Sequence, residues 1–254
     1  MIGNSDSILF VGHSHIECLV AAMQARVPED RWSSINLRLL GHRAKSEGVP
    51  LVELLEEQLD TAFDRFTAAG KSRTSVIVSM RGNYHVVFGL LEPAQPFDFI
   101  HPECPELSGA QGAVIVPFGA IVEEFENDLK SKAWIFNVIR KRKVAGIYHI
   151  QTPPPSMDDE YIISELHKIF QDRNRGSSVA HRNLRYKLWK TYSNCLSEMC
   201  ARNHVDFLHV PQNVMVEGKF LTPEGYGRDP THGGEWYAQQ WLRELGIEWE
   251  ESVR

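Results

Sequence analysis

The stretch "ILFVGHSHIE", residues 8–17, decides how the rest of the chain is read. Ile8 to Val11 form an unbroken apolar run, the mark of a strand buried on both faces. Gly12 interrupts the run, and Ser14 stands immediately before a segment with helical apolar spacing. A strand that hands over directly to a helix is half of a β–α unit, and ligands of parallel sheets gather at the carboxyl ends of their strands. Ser14 is therefore either a nucleophile at that edge or the N-cap of the helix, a position serine fills well.

Four further apolar runs share this character: "INLRLL" (35–40), "SVIVSM" (75–80), "VAGIYHI" (144–150) and "VDFLHV" (205–210). Helical spacing fits 16–26, 51–69, 118–142, 158–172, 180–203 and 236–245. The alternation predicts a three-layer α/β/α sandwich on a five-stranded parallel sheet, as one domain over 1–254. Residues 81–117 are rich in Pro and Gly without a sustained period. Phe97, Phe99, Ile100 and the later "AVIV" make this segment an ordered excursion in the reading, since a disordered one lacks such side chains.

Composition narrows the function classes. Lys and Arg number 27 against 33 Asp and Glu, a formal charge of −6, which offers no field for a nucleic-acid backbone. No run approaches the ~20 apolar residues of a membrane span, and the first residues lack a leader pattern, so a cytoplasmic protein is expected. Cys18, Cys104, Cys195 and Cys200 form no metal-type or disulfide-type spacing, and reduced thiols are expected. No cofactor and no metal are expected, because the histidines near Ser14 have no closely spaced carboxylate companions.

The strand ends carry the chemistry. They hold His13, Ser14 and His15; Gly41 and His42; Arg81, Gly82, Asn83, Tyr84 and His85; Gln151 and Thr152; and finally Asp229 and His232 before the last helix. A serine hydroxyl needs an imidazole base, and the imidazole needs a carboxylate to fix its tautomer. Ser14, His232 and Asp229 supply those three groups. Donors for a tetrahedral oxyanion are the N–H of Ser14, the N–H of Gly41, whose missing Cβ permits close approach, and the Asn83 amide. Each also has a plainer reading: Asp229 or Thr231 as a cap of the last helix, Gly41 as a strand end, Asn83 as a turn residue. His13, Arg81 and His85 are candidate substrate contacts; Arg81 fits an anion anchor or a surface ion pair equally well.

These blocks resemble those of the SGNH, or GDSL-like, hydrolase superfamily. "VGHSH" stands where that family has Gly-Asp-Ser, Gly41 in "LLGHR" where it has a glycine after the second strand, "RGN" (81–83) where it has Gly-x-Asn, and "DPTH" (229–232) where it has Asp-x-x-His. The order holds from Ile8 to Leu245. His13 replaces the usual Asp, and the third block is compressed. The resemblance implies a flavodoxin-like fold and a serine-dependent hydrolase of esters, with an O-acyl or O-acetyl group on a carbohydrate or small metabolite as the expected substrate. An acyltransferase using the same site, or a non-catalytic ligand-binding module on the same fold, are the alternatives. A nucleotide binder is disfavoured because no glycine-rich phosphate loop follows the first strand.

Overall fold

The computed structural model describes residues 2, 5–80, 84–109, 111–169 and 178–247. In chain order the elements are β1 (Ser7–Gly12), α1 (Glu17–Gln24), β2 (Trp32–Asn36), α2 (Leu37–Glu47), α3 (Leu51–Ala68) and β3 (Thr74–Ser79). Then come α4 (Tyr84–Gly89), β4 (Phe97–Asp98), β5 (Val114–Ile115), α5 (Phe118–Lys130), α6 (Trp134–Arg140), β6 (Gly146–Ile150) and α7 (Asp159–Ile169). The chain continues through α8 (Arg182–Arg202), β7 (Asp206–Leu208), β8 (Met215–Val216), β9 (Phe220–Leu221) and α9 (Glu235–Glu244).

A five-stranded sheet runs β2-β1-β3-β6-β7 with every neighbouring pair parallel. Period-two alternation divides its side chains between two cores. Leu9, Val11, Val76 and Val78 face one with α3, α5 and α6; Ile8, Phe10 and Ile77 face the other with α1 and α9. Helices thus cover both faces, as an all-parallel sheet requires. The register sets Gly12 opposite Asn36 on one side and Ser79 on the other, so three strands end level. A Cβ on Gly12 would overlap the Ser79 carbonyl oxygen, which makes glycine obligatory where β1 turns out of the sheet.

Two local expectations are corrected. "INLRLL" is not one strand: β2 ends at Asn36 and helix α2 begins at Leu37. The Asn36 side chain accepts hydrogen bonds from the N–H groups of Arg38 and Leu39 at 3.0 and 3.2 Å, an N-cap, while Leu37, Leu40 and Ala44 turn the apolar pattern helical. Gly48, at φ 66°, closes the helix in the left-handed conformation. The single helix expected over 118–142 is two, α5 and α6, separated by a turn at Ser131–Ala133. There the Ser131 hydroxyl donates back to the Asp128 carbonyl at 2.7 Å and competes with helix continuation.

Within the long excursion, α4 packs on α8, and β4 pairs in parallel with β5. Phe99 is fully buried. The ammonium of Lys187 on α8, itself fully buried, donates to Asp98 Oδ1 at 2.5 Å and to the carbonyls of Phe99 and Leu107 at 2.7 and 2.9 Å. One cation therefore fixes three points of the excursion onto the helix behind the sheet.

Candidate active site

Ser14 lies one step beyond the Gly12–His13 exit of β1, as first residue of a 3-10 turn that leads into α1. Its hydroxyl is not a helix cap: Ile16 occupies the cap of α1, and the Ser14 Oγ instead lies 2.7 Å from His232 Nε2. As first residue of the turn, Ser14 has an N–H without a partner inside it. The imidazole Nδ1 faces both oxygens of Asp229, at 2.8 and 2.7 Å. With that nitrogen protonated toward the carboxylate, Nε2 is left to accept the serine proton.

The loop that presents Asp229 and His232 is shaped by glycines. An isolated antiparallel bridge joins Tyr226 to Gly233, and the Gly234 N–H donates to Gly225 at 2.8 Å. A Cβ on Gly227 would strike the His232 carbonyl, and one on Gly234 the Tyr226 carbonyl. The loop therefore folds back on itself only because those side chains are absent. Asp229 Oδ1 also accepts from the N–H and hydroxyl of Thr231 at 2.8 and 2.7 Å. Tyr161 of α7 donates to the Asp229 carbonyl at 2.8 Å. The alternative of a cap for the last helix is not what forms: α9 has Gly234 at its N-cap, with no side-chain bond. Burial pushes the Asp229 carboxyl up, but the hydrogen bonds from His232 and Thr231 outweigh it and hold the group well below the ordinary carboxylate range.

Gly41 is not an oxyanion donor. It sits in the fifth position of α2, where the helix commits its N–H to the Leu37 carbonyl. Its bare backbone instead forms part of the wall of an open cleft of about 280 Å3 that begins at His13. His13 is half-buried, its N–H donating to the Ser79 carbonyl at 3.1 Å. His85 is buried and lines a much smaller pocket, about 20 Å3, with Arg185, the Pro153–Pro155 run, Pro230 and Thr231. Arg81 and Asn83 lie outside the described residues. Among the described residues, no group of histidine, cysteine and carboxylate side chains is arranged to hold a metal, and no helix is long and apolar enough to cross a membrane.

His15, adjacent in sequence to Ser14, stands among the strand-end residues of the sequence, but its place beside His232 was not legible there. Its ring is buried with both nitrogens unpartnered, and it packs against the His232 ring at a centroid distance of 4.4 Å. Burial, followed by the nearby His232, drives its pKa well below the usual imidazole value. It is thus a neutral, flat support for His232. Period-two spacing from His13 was the only sequence signal, and it does not distinguish a supporting ring from a ligand.

Burial likewise pushes His85 and His149 down to about 3. A histidine whose folded pKa is depressed contributes stability above its unfolded value, near 6.5, and loses it as pH falls toward the folded value. Each such group therefore removes roughly 1.4 kcal/mol per pH unit across the window between about 6.5 and 3. Urea denaturation midpoints are expected to hold from pH 8 to 7 and then fall steeply between pH 6 and 4.5. A midpoint unchanged from pH 7 to 4.5 would contradict the buried neutral assignment.

No protein-family model matches the chain, and no curated protein matches its sequence. Among solved structures, a GDSL-like lipase from Bacteroides thetaiotaomicron VPI-5482 is similar at 10% identity and a TM-score of 0.45, over 95% of this chain and 87% of that one. Axe2, an acetylxylan esterase from Geobacillus stearothermophilus, is similar at 16% identity and a TM-score of 0.41, over 99% of both chains.

Proposed function

We propose that the protein is a serine-dependent ester hydrolase with Ser14 as nucleophile, His232 as general base and acid, and Asp229 as the group that orients His232. The observation that carries this reading is the unbroken chain from Ser14 Oγ through His232 to Asp229, every link within 2.8 Å. Ser14 Oγ attacks the acyl carbon while His232 Nε2 takes its proton, and the Asp229 carboxylate stabilises the imidazolium. The tetrahedral oxyanion accepts from the Ser14 N–H, and Asn83, three residues past Met80, is assigned as second donor. Collapse releases the alcohol with the proton from His232, leaving a Ser14 ester. Water, deprotonated by His232, then frees the acid and restores the hydroxyl.

The two hollows beside this chain differ in size. The pocket on the Thr231 side has room for about one methyl or water. The cleft on the His13 side is the larger of the two, with about 280 Å3 of open volume. This asymmetry favours a short acyl group, acetyl in the simplest case, on a bulkier alcohol. Purified protein is expected to hydrolyse phenyl acetate much faster than phenyl hexanoate, with release of the free acid. Equal turnover of the two esters would contradict the size assignment, and turnover of neither would contradict the hydrolase reading.

A further inference from the structure

The larger cleft has a chemistry of its own. It is lined by His13, Arg38, His42, Lys45, Lys132 and Trp134, together with Leu37, Gly41, Leu51 and Ile135, and, among the described residues, by no carboxylate. In a chain of formal charge −6, three cations and two imidazoles around one hollow are a local reversal of sign. The helix makes it: Arg38, Gly41, His42 and Lys45 fall at spacings of three, four and seven, one face of α2. Gly41, with open space where its Cβ would be, keeps that face hollow between the basic side chains.

Nearby bases outside the cleft are neutralised. Arg43 pairs with Glu47 at 2.9 Å, Lys141 with Glu56 at 2.5 Å and Arg142 with Asp60 at 2.8 Å. Among the described residues, no carboxylate pairs with Arg38, Lys45 or Lys132; Lys132 donates only to the Ser131 hydroxyl, at 2.7 Å. The acids of α2 and α3 thus serve the bases that face away, and the cleft keeps its charge.

We propose that this cleft binds an anionic group, carboxylate or phosphate, on the alcohol portion of the ester. The proposal rests on the hydrolase reading for its link to turnover, because the cleft starts at His13, one residue before Ser14. Arg38 supplies a planar fork for two oxygens, Lys45 and Lys132 supply point charges, and Trp134 supplies a half-buried apolar wall.

The test compares phenyl acetate with 4-acetoxybenzoate and 4-acetoxyphenyl phosphate, in the wild type and in Arg38→Gln/Lys45→Gln/Lys132→Gln, with Arg38→Gln alone as a second variant. The ratio of kcat/KM for each anionic ester to that for phenyl acetate cancels differences in overall activity between proteins. That ratio is expected to be about tenfold or more higher in the wild type than in the triple variant, and to shrink as salt is raised. The ester that shows the larger ratio tells carboxylate from phosphate. Calorimetric titration with benzoate and with phenyl phosphate, which need no catalysis, is expected to show binding that the substitutions abolish. Ratios equal within twofold, with neither anion titrating, overturn the proposal while phenyl acetate turnover leaves the hydrolase reading intact. Anion binding lost in the variants, with no ester hydrolysed, leaves the anion cleft standing and removes the hydrolase reading.

Discussion

Ser14→Ala lowers the rate of aryl acetate hydrolysis by about ten-thousandfold or more, and His232→Ala lowers it by a similar factor. The two losses do not multiply. Nucleophile and base act as one unit through the 2.7 Å contact between Oγ and Nε2, so once either is gone the other has nothing left to do. The double variant is therefore expected to retain the same residual rate as either single one, supplied by binding and the Ser14 N–H. Neither substitution should unfold the protein, because both side chains are half-buried at a sheet edge and Ser14 caps no helix. Steady-state kinetics on the three folded variants checks this. A loss below tenfold for Ser14→Ala, or a double variant slower than both singles by the product of their factors, would contradict it.

Lys187→Ala produces the largest expected loss of stability. The ammonium has three N–H groups and three acceptors, all of them in the 98–107 segment, and its Nζ lies 5.1 Å from the Phe99 ring centroid. Removing it leaves the Asp98 carboxylate, 6% exposed, with the Gly109 N–H at 2.7 Å but, among the described residues, no counter-charge. Breaking a buried pair in this way costs about 3–5 kcal/mol. For a domain of this size that corresponds to a fall in Tm on the order of 10 °C. Lys187→Met/Asp98→Leu, which removes both charges, should recover much of the loss, since the uncompensated charge is the larger part of it. Calorimetric melting of the single and double variants reads this out. A shift under about 2 °C for Lys187→Ala would contradict the pinning role.

The parallel sheet was legible because β1 and β3 are buried on both faces and so carry the apolar runs Ile8–Val11 and Val76–Val78, while β6, only partly buried, still offers Ile147 and Ile150. α2 was not, because Leu37, Leu39 and Leu40 satisfy a strand pattern as well as a helical one. The capping by Asn36 that tips the balance is a side-chain event two and three residues away. The same ambiguity misplaced Gly41: its residue type was right for a close approach to ligand, but helix formation takes its N–H. Ser14, Asp229 and His232 were singled out in the sequence because serine-dependent acyl chemistry needs those residue types, and the structure sets them within hydrogen-bond distance along one chain. The parts played by His15 and Lys187 were not legible there. Their roles come from what packs on them, at separations of 217 residues for the His15–His232 rings and 89 for Lys187 and Asp98, and no local period encodes that. The basic stripe of α2 became visible only once residues 37–47 were helical, since as a strand it would have put Arg38 and Lys45 on opposite faces.

The central claim is that Ser14 is an activated nucleophile. The most direct test is to expose the folded protein to a fluorophosphonate probe and read intact mass, followed by peptide mapping. The account predicts one adduct per chain, on Ser14, absent in Ser14→Ala and formed far more slowly in His232→Ala. An unmodified Ser14 in folded wild-type protein, after exposure sufficient to label a known serine hydrolase completely, would contradict it.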